Sequence, residues 1–470
     1  MVRSRQSLTK APRGPFLALC ARLEKTPTLF SLRRSETRAY RDQFAALLAR
    51  HTKGSPIDLG REPFAEFVKQ CKKYDANLPK RLRAALSYRT KKANSQRRTH
   101  ARLVSKLGLG PASEAAKLAA FQNVVPTIHL RCLKKADPDL FKWVCESPET
   151  KGVWEAWVND KPLSDKRHSR REMMVEDPGQ LAYIVAADQN AIIRDSNTGE
   201  IICVVICDFC ADIEVVAWLG TDKLQQKEDT GKLVLVGYSA GSRSHPCFDW
   251  TRNILSKKHT AEFLRSHDMA VSSSLALFWN MMRARLPSEL LADLDKYLES
   301  NQLCRMDANH TMGATNDGQG EYYIQKGAKV VGFAHEQLAP PAAVMGANYA
   351  RSIHWEHQPH CFAYSWTTGR NTSEGGSFYI ATHGIKIEQS ANTFIAWQPR
   401  LAHGTSMLAC EPGQTVPPFA QEGLSIVSSM RLAATWKRYH EGLISAEQAA
   451  KEYADSLEDG IEDGQDGTSA

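Results

Sequence analysis

Three side chains far apart in the chain have the types and spacing to hold a metal ion. His354 and Glu356 stand two residues apart in Ile353-His-Trp-Glu356. Residues i and i+2 of an extended chain point to one face. Ile353, Phe362, Tyr364 and Trp366 around them suit a half-buried strand better than a helix. A second imidazole, His403, follows 49 residues later (403 − 354), after Phe394-Ile-Ala-Trp397 and Gln398-Pro-Arg400. Two neutral imidazoles and a carboxylate on one face of an ion make the facial triad of a non-haem Fe(II) oxygenase, with positions left open for co-substrate and O₂. Downstream, Arg431 closes the apolar run Leu424–Met430. A guanidinium in a strand-like run needs an anionic partner, and its planar fork suits a carboxylate such as the far end of 2-oxoglutarate.

Other imidazoles compete for the triad. His357 is offset by three from His354 and faces away in a strand. His360 has the right parity but follows Pro359, which breaks a strand. His335 and His383 would serve only in a different register.

The elements that must position these groups are mostly strands. Ser377–Ala381 opens on Gly375-Gly376, Gly384–Glu388 and Thr393–Trp397 follow, and the run carrying Arg431 closes a β-rich stretch. Upstream, Ala191–Arg194 and Ile201–Ile206 flank Asp195-Ser-Asn-Thr-Gly199 and read as a hairpin. Leu233–Val236 is a further strand. Leu275, Phe278, Trp279 and Met282 repeat at helical spacing, as do Leu290, Leu291, Leu294 and Leu298, and both sets read as core-facing helices. Residues 306–320 read as a loop and Glu441–Tyr453 as a last helix. The acidic tail from Asp455 to Ala470 is expected to be disordered.

Two other motifs compete for attention. Gly237-Tyr-Ser-Ala-Gly241 fits the G-x-S-x-G nucleophile elbow, which needs a helix after its strand. Ser242-Arg-Ser-His-Pro246 is a poor helix start, so a glycine-rich strand end is preferred and Ser239 receives no role. Cys203, Cys207 and Cys210 lack a fourth zinc ligand at a convincing spacing and read as buried strand thiols. The eleven cysteines show no framework, which fits a reducing compartment.

Composition is that of a soluble globular protein of 470 residues, 42% apolar and 24% charged. No run approaches 18 apolar residues, so no membrane span is expected. The charge is uneven. Residues 1–110 hold 26 Lys and Arg against 7 Asp and Glu, a net of +19; the rest holds 34 against 45, a net of −11. The basic part therefore expects a polyanion, DNA above all. Helical spacing there includes Phe64, Phe67 and Val68, and Leu82 with Leu86. Lys91-Lys92 and Arg97-Arg98 fit a nuclear signal. The acid-free first 23 residues leave a mitochondrial presequence as the rival. A nuclear location is preferred.

The wider chain resembles a known family. Val236-Gly-Tyr-Ser-Ala-Gly241, Phe248-Asp-Trp250, Leu338-Ala-Pro-Pro341, Asn348-Tyr-Ala-Arg351, Ser365-Trp-Thr-Thr368 and His403-Gly-Thr-Ser406 are similar to the basidiomycete fungal branch of the TET/JBP Fe(II)/2-oxoglutarate dioxygenases, over roughly residues 170–440. The resemblance implies oxidation of a methylated base in DNA, 5-methylcytosine first and N6-methyladenine as the alternative. A catalytically silent DNA-binding protein of the same fold is a further alternative. The family pattern is His-x-Asp, whereas this chain has His-x-Glu. The expected fold is α+β: a double-stranded β-helix (jelly-roll) core at 325–440, preceded by helical and β elements at 111–324 and a basic helical region at 1–110, and followed by a helix and tail at 441–470. The expected metal ligands are His354, Glu356 and His403. Arg431, Asn348 and Tyr349 are expected on 2-oxoglutarate, and Arg351 and Arg370 on the DNA. The oligomeric state is left open.

Overall fold

The protein is described here as a computed structural model covering residues 14–26, 38–53, 56–60, 62–159, 172–218, 231–241, 246–251, 259–308, 318–327, 329–412 and 420–444. The acidic tail lies outside the described residues, as does the expected helix beyond residue 444. The chain divides into two compact units, Met1–Arg102 and Leu103–Ala470. The division falls inside the helix Lys80–Leu107, somewhat before residue 110.

The first unit is helical, as its spacing predicts. Pro15–Glu24, Arg38–Thr52, Pro63–Lys73 and the start of Lys80–Leu107 pack Phe16, Phe44, Phe64, Phe67 and Leu82 into one core. Helix Lys80–Leu107 carries ten Lys and Arg and no Asp or Glu.

The second unit is a two-sheet sandwich with helices on one outer face. Across the major sheet the order is Thr127–Leu130, Ala191–Asp195, Ile201–Ile206, Thr393–Trp397, Ala363–Arg370, Gln421–Ile426, Ala342–Ala347, Lys232–Gly241, Pro246–Trp250. The minor sheet runs Arg351–His354, His403–Thr405, Phe378–Ile380, Ile385–Ile387, Tyr183–Val185. Eight consecutive strands between 342 and 426 are thus shared out as major, minor, major, minor, minor, major, minor, major. Strands from residues 111–324 extend both sheets, while Trp143–Cys145 and Met173–Val175 pair with each other in a separate two-stranded sheet. The expected boundary at 324/325 cuts the strand Gln319–Lys326, which is paired in a hairpin with Lys329–Gln337.

Alternation along the strands assigns their faces. Tyr364, Trp366, Leu424, Ile426 and Met345 pack against helices Ala261–Arg285 and Ser288–Ser300. Their neighbours Ala363, Ile395 and Trp397 meet Phe378, Ile380, Ile385 and Ile387 of the minor sheet. One inward row is different. Val344, Ser425 and Ser365 lie side by side in register, yet all three are half-exposed. Their short side chains leave an open cleft between the sheets. Among the described residues, no helix is long and apolar enough to cross a membrane.

Candidate metal centre

The three residues singled out in the sequence meet at one end of the minor sheet. His354 ends its strand and is the register partner of His403 on the antiparallel neighbour. Their ring centroids are 4.6 Å apart. Gly404 permits this approach: a Cβ there would stand 2.8 Å from the Arg351 carbonyl oxygen and 3.1 Å from Ile353 Cα. Glu356 is tied to the same neighbourhood by its N–H, which donates to the Pro399 carbonyl at 3.0 Å. Its Oε1 lies 3.2 Å from His354 Nε2. One ligand atom from each of the three residues lies within 4.8 Å of the others, the one such group of His, Cys, Asp and Glu among the described residues.

The donor chemistry fits a divalent transition metal. Each imidazole has its Nδ1 against the backbone carbonyl two residues earlier, Ser352 for His354 and Leu401 for His403, both at 2.8 Å. A ring whose Nδ1–H is held by a carbonyl presents Nε2 as a lone-pair donor. Burial, then the neighbouring His354, lowers the His403 pKa to about 4, so this ring is neutral at physiological pH. Burial pushes the Glu356 carboxyl up, but the His354 hydrogen bond and the attraction of the two imidazoles once protonated outweigh it and hold the group at about 2. Phe378 and Trp397 wall the His403 ring, with centroids 5.8 and 5.9 Å from it.

The rival imidazoles are engaged elsewhere. His383 Nε2 lies 3.1 Å from Asp195 Oδ2, and His360 Nδ1 lies 2.7 Å from the Phe362 carbonyl. His357 is exposed, and His335 occupies the bulge of the Lys329–Gln337 strand. The three cysteines at 203, 207 and 210 gather no further ligand. The G-x-S-x-G motif lies within Lys232–Gly241, and its Ser239 pairs with Asp249 in a hairpin, so no strand–turn–helix elbow forms.

The second group of expected residues is dispersed. Arg431 is not in the closing strand, which ends at Ile426; it caps the helix Leu432–His440 and donates to the Ala240 carbonyl at 3.1 Å. Ala240 belongs to the strand beyond Ala342–Ala347, so this guanidinium points away from the cleft. Asn348, at φ 53°, clamps the start of the closing strand, its Oδ1 accepting from the N–H groups of Ala420 and Gln421. Its Nδ2 is buried with no hydrogen-bond partner among the described residues. Tyr349 is half-buried beside it. Arg351 pairs with Thr405, next to His403, and its charge depresses that imidazole's proton affinity. Arg370 lies seven residues along its strand from Ala363, the partner of Trp397. There it donates to the Gly375 carbonyl at 2.7 Å and to the Gln421 side chain, and it lines a polar cavity of about 370 Å³ with Glu146, Ser377 and Glu388.

Three features had only faint signals in the sequence. The role of Gly404 was hidden in an ordinary His-Gly-Thr. The half-open row Val344, Ser365, Ser425 is short residues at strand parity. The helix holding Arg431 shows as Leu432, Trp436 and Tyr439 at i, i+4 and i+7, of which Trp436 and Tyr439 stack round Phe248.

No family profile and no curated protein matches the chain. Among solved structures, NgTET1 in complex with 5mC DNA is similar over 51% of this chain and 76% of its own, at 12% identity and a TM-score of 0.33. An oxidoreductase of the 2OG-Fe(II) oxygenase family from Burkholderia pseudomallei is similar over 48% and 82%, at 10% identity and a TM-score of 0.23. Likenesses this distant leave the site's own geometry as the ground for function.

Proposed function

We infer that this protein is an Fe(II)/2-oxoglutarate-dependent dioxygenase that oxidises a methylated base in DNA, 5-methylcytosine first. The observation that carries it is the convergence of His354, Glu356 and His403, one ligand atom of each lying within 4.8 Å of the others. The eight alternating strands support a double-stranded β-helix, a jelly-roll whose two sheets enclose a ligand space. His354, Glu356 and His403 would hold the ferrous ion. With 2-oxoglutarate, that ion supplies the activation of O₂. The inward row Val344, Ser425 and Ser365 leaves room for a small dicarboxylate, and Arg351 brings positive charge to the same mouth. Phe378 and Trp397 keep water from one side of His403.

The DNA reading rests on charge. The helix Lys80–Leu107 is about 42 Å long and free of acid. Lys80, Lys91, Arg98 and Arg102 fall within about 40° of one another around it, opposite the buried Leu82 and Leu86, and all four are exposed. Such a stripe tracks phosphates. A methyl group inside a stacked duplex is out of reach of a recessed metal, so the base must be extruded.

A second reading, a silent DNA-binding protein, is favoured by one observation: the inward positions of the closing strand, Gln421, Gly423 and Ser425, bear no cation, and Arg431 faces elsewhere. One experiment separates the two. Methylated duplex is incubated with iron, 2-oxoglutarate and either wild type or His403→Ala, and the nucleosides are analysed by mass spectrometry. Oxidised base from wild type alone is expected. Identical profiles would overturn the assignment of the site.

A further inference from the structure

Trp355 stands between two of the three triad residues in sequence and projects away from them, because alternate residues of an extended chain face opposite ways. Its side chain is 41% exposed. Phe141, 47% exposed, meets it edge to face, with centroids 5.5 Å apart and planes at 80°. Single exposed apolar residues are ordinary; here two large rings are exposed in contact with each other. Phe141 also adopts φ 63°, a left-handed conformation unfavourable for a bulky side chain and characteristic of functional positions.

The surroundings enforce this conformation. Phe141 N–H donates to the Ile353 carbonyl at 2.8 Å, and Ile353 N–H donates to the Lys142 carbonyl at 3.0 Å. Leu133 N–H to the Thr382 carbonyl (2.8 Å) and Asp137 N–H to the Ala381 carbonyl (2.9 Å) pin the rest of the loop to the same end of the minor sheet. That end is the metal end, since Ile380 is the register partner of His403. The loop also exposes Arg131 and Lys134. Backbone strain, four backbone bonds and two exposed rings therefore combine to present an aromatic pair at the rim of the triad, on a loop that also exposes basic side chains.

We propose that Phe141 and Trp355 form a stacking platform for an unpaired nucleobase at the rim of the His354–Glu356–His403 cleft, on a strand whose phosphates meet Arg131 and Lys134. The assignment deepens the DNA reading above and rests on it. Every base has a π-face, so a flat ring beside positive charge binds single-stranded nucleic acid without needing a sequence. With the two planes at 80°, one ring offers its face and the other buttresses it edge-on. That suits one base and falls well short of the contiguous apolar patch at which a protein partner docks. Extruding one base leaves it, or its neighbour, needing such a surface.

The test uses the full chain and a fluorescein-labelled single-stranded oligonucleotide, read by anisotropy over a range of salt. Trp355→Ala and Phe141→Ala are each expected to weaken binding by about tenfold while leaving the salt slope unchanged, since no phosphate contact is lost. Co(II) titration checks the triad in both, and Phe141→Ala decides if Trp355→Ala disturbs it. Phe141→Leu keeps apolar bulk without the π-face and should resemble Phe141→Ala. Unchanged affinity in Phe141→Ala, a fall in salt slope instead of affinity, or full binding by Phe141→Leu overturns the platform. Nucleoside analysis separates this from the reading above: oxidised base with unaltered binding by the variants removes the platform alone. Tenfold weakening without any oxidised base from wild type removes the chemistry alone.

Discussion

His354 and His403 are related by a local symmetry: each sits on one of two antiparallel strands, and each has its Nδ1 2.8 Å from the carbonyl oxygen two residues before it. The two rings are thus fixed by their own strands before any ion arrives. Removing His403 deletes a donor without disturbing the mate's anchor. In Co(II) titrations followed by absorbance, His403→Ala should lose more than the roughly 10–100-fold that a supporting residue costs. Glu356→Gln keeps the shape and loses the charge, and should weaken binding in the same direction. Wild-type affinity in both variants would mean that the ion, if any, binds elsewhere.

Gly404 makes the second case. Its Cβ position is claimed by Arg351 O and Ile353 Cα, which are backbone atoms and cannot swing aside. Gly404→Ala should therefore force the strands Arg351–His354 and His403–Thr405 apart. The expected cost is about 1–3 kcal/mol in urea unfolding, together with loss of Co(II) binding. A variant that keeps full affinity would show that the strand pair has slack.

Asp195 gives a pH dependence. Its carboxylate accepts from the N–H groups of Thr198 and Asn197, both at 2.8 Å, and lies 3.1 Å from His383 Nε2. These contacts, Thr198 first and His383 next, hold its pKa at about 2, against about 3.9 for a free aspartate. A depressed folded pKa adds stability that is present above the unfolded value and lost as pH falls through the folded one. The difference in urea midpoint between wild type and Asp195→Asn should be constant above pH ~4 and shrink between ~4 and ~2. A difference that persists unchanged at pH ~2 would mean that the turn needs no charge.

The same turn shows what was legible in the sequence. Asp195-Ser-Asn-Thr-Gly199 between two apolar runs dictates a hairpin, and Ala191–Asp195 pairs antiparallel with Ile201–Ile206 as that pattern requires. The triad was legible for a related reason: His354 and Glu356 are separated by the strand period, and a spacing of two needs no tertiary information. Arg431 was not. The run Leu424–Met430 is apolar throughout, which a strand and a buried turn share. The chain leaves the sheet at Ile426, and the Ser429 hydroxyl accepts the Arg431 N–H at 3.2 Å, so the run ends as a helix cap. For Arg370 the strand was readable, but the groups its side chain meets, the Gly375 carbonyl and the Gln421 side chain, are set by the partner strands, and residue order does not state them.

The acid-free helix predicts a salt dependence. Lys91, Arg97 and Arg98 are exposed on it. Changing all three to Ala should reduce the slope of log affinity for duplex DNA against log salt by up to about 2.7, three phosphates at about 0.9 each. Oxidation of a short oligonucleotide at saturating concentration should be unaffected, since these side chains lie outside the triad. An unchanged slope would assign the stripe to solvent and transfer the duplex contact to other basic residues.

Beneath the minor sheet, Lys386 makes the last case. It is buried, donates to Glu176 at 2.6 Å and lies 3.4 Å from Glu146, while Tyr379 Oη also donates to Glu176 and Ser406 to Glu146 at 2.6 Å. Burial lowers the Lys386 pKa, but Glu176 and Glu146 outweigh it, so the ammonium stays charged. Tyr379 and Lys386 alternate with the inward Phe378, Ile380, Ile385 and Ile387, so this network props the strand beside His403 from the outer side. Lys386→Met strands two carboxylates next to each other without a cation. It should cost about 3–5 kcal/mol, the range for breaking a buried pair from one side. The triple change Lys386→Met, Glu176→Gln, Glu146→Gln should recover most of that loss, because no uncompensated charge remains. If the single variant unfolds at the wild-type urea midpoint, water reaches the cluster and the network contributes no support to the metal-binding strands.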